Sequence, residues 1–137
     1  MIVQLSFEEV TTLNSAVERM LSPGDGGGVV APPEVLAELE ARLPLRGDIS
    51  VNTLAKQVRL VGAVGYVMEH LKRRMDALVV ERYVGDDDAV NAYFDYANIL
   101  TLHTRLTAVG REMRAMIQLM TGGAVTDESA RSISFPD

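Results

Sequence analysis

Cysteine and tryptophan are both absent from this 137-residue chain. Without cysteine the protein has no disulfide, no thiolate nucleophile and no cysteine ligand for a metal. Aromatic residues make up only 5% of the sequence, so the core has to be built from aliphatic side chains and from some of the seven methionines. These absences exclude cysteine-dependent enzymes and cysteine-based zinc modules.

Long hydrophobic runs are also missing. The longest, LVGAVGYVM at 60–68, is far shorter than the ~20 residues that a membrane-spanning helix needs. The first ten residues, MIVQLSFEEV, lack the basic segment and the long apolar segment of a secretory signal peptide. The sequence therefore predicts a cytoplasmic protein with no membrane partner.

Basic residues are fewer than acidic residues, 13 against 19, and the net charge is −6. An acidic chain repels a phosphate backbone at long range. The basic cluster HLKRRMD at 70–76 would spread its charges around a helix and would not form one stripe. Nucleic acid is therefore a disfavoured partner, and binding through 70–76 ranks third among the functions considered.

What the sequence does contain is helical periodicity over most of its second half. Between 99 and 120 an apolar residue recurs every three or four positions, the spacing of one helix face: Ile99, Leu102, Leu106, Val109, Met113, Met116 and Met120. A similar pattern occupies 50–84, and the run VGDDD separates the two. Two helices of ~50 Å joined by so short a turn are expected to form an antiparallel hairpin, at about 50–84 and 88–121.

Two shorter helices are expected before the hairpin. Residues 2–5 read as a short strand, and Ser6 with Glu9 forms a capping-box pattern for a first helix that ends before Pro23. A Gly/Pro-rich loop at 22–32 leads to a second helix over 33–43. The predicted fold is thus all-α and four-helix-bundle-like, with one domain over 1–121 and a flexible tail over 122–137. Within the tail, the run SISF alternates polar and apolar residues, as a strand does, and is a candidate to pair with residues 2–5.

The long helices carry more apolar side chains than they can bury against each other and the two short helices. Monomers rarely expose a large contiguous apolar patch, so we expect a two-fold homodimer formed through the long helices. A monomeric bundle with a bend at Gly62 and Gly65 is the alternative. The predicted interaction surface comprises seven apolar residues: Met68, Met75, Val79, Met113, Met116, Ile117 and Met120.

Function is predicted from this surface, because no catalytic signature is present. The preferred hypothesis is a protein–protein interaction module: an adaptor, a small subunit of an assembly, or an inhibitor or immunity-type partner. No cofactor and no catalytic residue is predicted. We also expect a structural ion pair between Arg82 and Asp95. Each continues the three-or-four-residue spacing of the apolar residues on its helix, but is itself charged.

The second hypothesis is a helical-bundle enzyme that binds a ligand or a metal. It rests on His70 and His103, which the hairpin sets about one helical turn apart in height, with Glu69 near the same level. Imidazole and carboxylate groups together are common metal ligands. Neither the Glu-x-x-His pair of di-iron bundles nor a His-Glu-x-x-His motif occurs. A structural role for these residues is therefore preferred, and no metal is predicted.

Overall fold

The computed structural model describes residues 1–22, 31–41, 47–81 and 87–137. It confirms the all-α class, with two long helices packed against each other. The elements follow one another along the chain as β1 (Ile2–Val3), α1 (Phe7–Leu21), α2 (Pro33–Ala41), β2 (Ile49–Ser50), α3 (Leu54–Glu81), α4 (Asp87–Thr121) and α5 (Asp127–Ser132).

The two long helices form the expected hairpin. Helix α3 has 28 residues and α4 has 35, which correspond to lengths of about 42 Å and 52 Å. Both run without interruption past Gly62, Gly65 and Gly110. None of the described helices has a segment long and apolar enough to cross a membrane.

Helix α3 begins four residues later than the periodicity predicts. The reason is a two-stranded antiparallel ribbon, in which Ile2 pairs with Ser50 and Val3 with Ile49. The chain between 49 and 52 is held extended by this pairing, and Thr53 then accepts a hydrogen bond from the Lys56 amide at 3.2 Å. An N-cap hydroxyl of this kind satisfies a free amide of the first helical turn.

Helices α1 and α2 cover one flank of the hairpin. The capping box predicted for α1 is present, because Ser6 and Glu9 each accept a hydrogen bond from the other's amide. Helix α1 packs against α3 and α4, and α2 packs against α3. Most of the predicted loop at 22–32, and the two final residues of the predicted second helix, lie outside the described residues.

The core is aliphatic, as the shortage of aromatic residues predicts. Met113 is the one fully buried methionine of the seven. The largest side chains with almost no exposed surface come from both long helices and the segments before α3: Leu54, Leu60, Leu71, Ile99, Leu102, Leu106, Met113, Ile117, His70, Val17, Val51 and Val64.

The C-terminal segment, predicted as a flexible tail, is packed onto the hairpin. Helix α4 ends at Thr121, and the next residue, Gly122, adopts a positive φ of 71°, a conformation that glycine tolerates better than other residues. Helix α5 follows, with Thr126 and Ser129 as a capping box. Phe135 is buried, and its amide donates to the Asn52 carbonyl at 2.7 Å. The segment therefore lies beside the end of β2, while β1 pairs with β2 and not with the SISF run.

Candidate interaction surface

An ion pair joins α1 to the middle of α4. Arg105 donates to both carboxylate oxygens of Glu9, at 2.7 Å and 2.9 Å, and also to the Gln4 carbonyl at 2.6 Å. The Glu9 side chain is buried, and burial alone raises its pKa; the hydrogen bonds from Arg105 and the Ser6 amide, with the Arg105 charge, outweigh this and hold the pKa below its usual value of 4.5. The bidentate geometry fixes the position of α1 along α4.

Further polar contacts line the same seam. Thr12 donates to the Asp95 carboxylate and accepts from the Asn98 side-chain amide, each at 3.4 Å. Asp95 and Arg105 are the charged residues of α4 between 89 and 110, and both contact α1. The rest of this part of α4 therefore carries no charged side chain.

On the solvent side of α4, the same part of the helix presents an uncharged face that we name the outward stripe. Its members recur every three or four residues and span about 80° of the helix surface at 100° per residue. Because they extend over 18 residues, the stripe is about 27 Å long. It comprises Val90, Phe94, Ala97, Thr101, Thr104 and Ala108, of which Ala97 is half-buried and the others are exposed.

Large apolar side chains lie within the outward stripe and along its edge. Tyr93 and Phe94 are each 56% exposed, and their rings meet edge to face with centroids 5.7 Å apart. Leu100 is also exposed. The chain has only seven aromatic residues, and a buried aromatic side chain contributes more to stability than an exposed one. Two adjacent exposed rings are therefore unexpected if they serve only the stability of this chain.

The hydroxyl groups within the outward stripe already have acceptors in the protein, and Thr101, on the edge of the stripe next to α1, also lies 3.4 Å from Oε2 of Glu9. Thr101 donates to the Asn98 carbonyl at 2.7 Å, and Thr104 donates to the Leu100 carbonyl at 2.9 Å. Neither hydroxyl hydrogen needs a water acceptor, so covering these side chains leaves no unsatisfied donor. The stripe is thus a surface that another apolar surface can cover at low cost.

The seven residues predicted as an interaction surface are distributed between core and surface. Met113 and Ile117 are fully buried, and Met68 and Met75 are partly buried. Val79, Met116 and Met120 are exposed. Met116 and Met120 lie with the exposed Leu119 near the end of α4. The role of these residues in binding stays a prediction, although the buried members are not accessible to a partner in this structure.

The three residues of the predicted metal or ligand site differ in their surroundings. His70 is buried, His103 is half-buried, and Glu69 is exposed and accepts a hydrogen bond from Arg73 at 3.1 Å. Over 1–22, 31–41, 47–81 and 87–137, no group of three or more histidine, aspartate or glutamate side chains is arranged to hold a metal ion. The structure therefore does not gather these three residues into a recognisable centre.

The predicted ion pair of Asp95 involves a residue outside the described part of the chain. Arg82 belongs to the segment 82–86, so its contact with Asp95 stays a prediction. The observed partner of Asp95 is Thr12.

Two features of the site have little or no signal in the sequence. The Glu9–Arg105 pair joins residues 96 positions apart, and no local pattern links them. The outward stripe did leave a signal, because apolar residues before Ile99 lie on a different face from those after it. That rotation indicates a second surface on α4, but the sequence does not show that α1 and α3 leave it uncovered.

Comparison with known proteins gives no relative from which a function could be transferred: the chain matches no protein-family model, no curated protein and no solved structure.

Proposed function

We propose that this protein is a cytoplasmic protein–protein interaction module that pairs with a second copy of itself through the outward stripe of α4. The observation that carries the proposal is the absence of charge from an exposed helix face about 27 Å long, which includes the exposed ring of Phe94 and has the exposed ring of Tyr93 beside it. Exposed large apolar side chains that lie together, as Val90, Tyr93 and Phe94 do, are typical of protein contact sites. An adaptor or a small subunit of a larger assembly fits such a surface.

If a second copy is the occupant, charge favours the outward stripe over other surfaces as the place of contact. Each chain carries a net charge of −6, so two copies repel each other wherever their acidic surfaces meet. On the outward stripe this repulsion is smallest, because both charged side chains between 89 and 110 are turned to α1. Two copies can therefore approach face to face here without placing like charges in contact.

The order of side chains along the stripe also suits an antiparallel pair. A two-fold axis at the level of Ile99 would set residues whose numbers sum to 198 opposite each other. Val90 would then face Ala108, and Phe94 would face Thr104, so that each large side chain meets a small one. In a two-fold contact each of these pairings occurs twice. This alternation allows the two helices to approach closely.

The size of the stripe limits the strength of the pair. One helix from each copy supplies the contact, which places it at the lower end of specific interfaces. We therefore expect a reversible dimer with a dissociation constant on the order of micromolar, equivalent to about 8 kcal/mol. Such a dimer exchanges readily, as a module within a larger assembly would need to.

Sedimentation equilibrium from about 1 µM to about 500 µM tests the pairing. The wild-type chain should move from 14.9 kDa toward twice that mass as its concentration rises. Phe94→Glu puts a charge into both halves of the contact and should weaken association at least about tenfold, or about 1.4 kcal/mol. Phe7→Glu is the matched control, because Phe7 is 80% exposed on α1 and the substitution changes the charge equally.

The outcomes separate clearly. A wild-type chain that stays at the monomer mass throughout the range would overturn the proposal. A dimer that Phe94→Glu leaves intact, or that Phe7→Glu weakens equally, would place the contact elsewhere. Circular dichroism of each variant checks that loss of association does not reflect loss of helix.

A further inference from the structure

A cavity of about 500 Å³ lies between the first turns of α3, the later part of α4 and the segment from Val125 to Arg131. Its apolar lining includes Leu54, Val58 and Val125. The volume falls within the range of small-molecule sites, which is about 300–1,000 Å³. The cavity shares no residue with the outward stripe, so it is independent of the proposed pairing.

Three arginines from three different helices border this cavity. Arg59 belongs to α3, Arg114 to α4 and Arg131 to α5. The cavity has one acidic residue in its wall, Asp127. The local balance is therefore two positive charges, although the whole chain carries six negative ones.

These arginines differ from the arginines that have a structural partner. Arg73 is paired with Glu69, and Arg105 with Glu9. In the part of the chain that the structure describes, Arg59, Arg114 and Arg131 make no ion pair and no side-chain hydrogen bond. Acidic residues outnumber basic ones in this chain, so three arginines gathered without carboxylate partners have donors left for a ligand.

We infer that this cavity binds a small organic dianion, with a phosphate-type head held by Arg59, Arg114 and Arg131 and an apolar or aromatic body against Leu54 and Val58. The guanidinium group presents a planar fork of N–H donors that matches the oxygens of phosphate and carboxylate. Two net positive charges around the cavity favour a dianionic head over a monoanionic one. The apolar lining favours an organic body over a free inorganic ion.

Binding would also act on the C-terminal segment. Arg131 and Val125 lie in a segment that closes one side of the cavity, while Arg59 and Arg114 lie on the hairpin. A ligand held by both sides stabilises the packed position of α5, because it binds the folded arrangement and not the open one. Amide hydrogen exchange in 127–132 should therefore slow when the cavity is occupied.

The probe for this inference is 1-naphthyl phosphate, whose binding to the full chain is measured by calorimetry at low ionic strength. Three comparison ligands separate the contributions: 1-naphthoate has one charge, 1-naphthylmethanol has none, and inorganic phosphate has no apolar body. We expect 1-naphthyl phosphate to bind at least about fivefold more tightly than each of them, and to slow exchange at 127–132.

Arginine variants test whether these three side chains hold the head group. Arg59→Gln, Arg114→Gln and Arg131→Gln should each weaken 1-naphthyl phosphate at least about fivefold, equivalent to about 1 kcal/mol. Arg111→Gln is the matched control, because Arg111 is an exposed arginine of α4 that does not line the cavity. It should change affinity less than about twofold.

Four results would overturn the inference. Equal affinity for 1-naphthylmethanol would make the cavity a neutral apolar site, and equal affinity for 1-naphthoate would remove the preference for a dianion. Equal affinity for inorganic phosphate would show that the apolar lining is not used. An Arg111→Gln variant as weak as the other three would reduce the effect to general charge attraction.

Discussion

Gln57 of α3 occupies the space that a side chain at Gly110 of α4 would need. A Cβ atom built on Gly110 would lie 2.5 Å from Nε2 of Gln57, and that nitrogen donates to the Leu106 carbonyl at 2.6 Å. Gln57 is buried. The amide therefore ties the start of α3 to the backbone of α4.

Gly110→Ala should lower the free energy of unfolding, by up to about 2 kcal/mol. The added methyl group displaces Gln57 and leaves its buried amide without its acceptor, which costs about 1–3 kcal/mol. The higher helix propensity of alanine offsets this cost by about 1 kcal/mol at most. Urea denaturation followed by circular dichroism measures the difference.

Gly62→Ala and Gly65→Ala provide the contrast. A Cβ atom at either position meets nothing within 4 Å, and both residues lie inside α3. Each substitution should therefore raise the free energy of unfolding, by about 0.5–1 kcal/mol, through helix propensity and a less flexible unfolded chain. Stabilisation by Gly110→Ala of the same size would refute the role given to Gln57.

Arg105→Gln should destabilise the protein by about 2 kcal/mol, because it leaves the buried carboxylate of Glu9 without its charged donor. Arg73→Gln is the control, since Arg73 pairs with Glu69 on the surface and both side chains are about half exposed. An exposed pair contributes less than about 1 kcal/mol. In thermal and urea unfolding, Arg105→Gln should therefore lose more stability than Arg73→Gln. Equal losses of stability in the two variants would contradict the importance assigned to the α1–α4 seam.

Glu9 should make stability depend on pH in acid. Its pKa in the folded chain lies below the ordinary value of 4.5, because the bonds from Arg105 and Ser6 outweigh the effect of burial. As the pH falls, the Glu9 carboxylate is therefore protonated in the unfolded chain before it is protonated in the folded chain. The stability that the ionised Glu9 contributes is complete above about pH 4.5 and is lost as the pH falls through the lowered folded-state pKa. Urea unfolding at several pH values should show wild type and Glu9→Gln converging as the pH falls. A constant difference from pH 7 to pH 3 would contradict the lowered pKa.

Phe135→Ala should destabilise the protein by about 3 kcal/mol, because Phe135 is buried in the core cluster beside the end of β2. It should also make residues 122–137 easier to cleave in limited proteolysis. Phe7→Ala serves as the control, since Phe7 is exposed and its loss should cost less than about 0.5 kcal/mol. If Phe135→Ala behaves like Phe7→Ala, the packed position of the C-terminal segment is not occupied in solution.

The elements with a local signal were predictable. Helical spacing and the VGDDD break located both long helices, and the Ser6–Glu9 capping box located the start of α1. The 3–4 spacing placed Leu102, Leu106 and Met113 on the buried side of α4, where the structure has them. These predictions succeed because a helix start and a buried helix face depend on residues within a few positions of each other.

The candidate sites depended on contacts between distant parts of the chain. Spacing alone does not show that Met116 is exposed while Met113, three residues earlier, is buried. The difference arises because α4 has neighbours on some of its sides and none on others. The arginine-lined cavity likewise needs α5, a helix of six residues that is too short to show a periodic pattern.

The helical hairpin follows from local sequence patterns, because two long periodic segments separated by a short break bury their apolar faces against each other, as the helices of 28 and 35 residues do. Which surfaces of the hairpin stay exposed depends on contacts between residues far apart in the chain. The ion pair between Glu9 and Arg105 sets α1 on one side of α4 and leaves the outward stripe open. The burial of Phe135 brings the last segment back to α3. Both are long-range contacts, and their energies are set by burial and geometry that no neighbouring residue encodes.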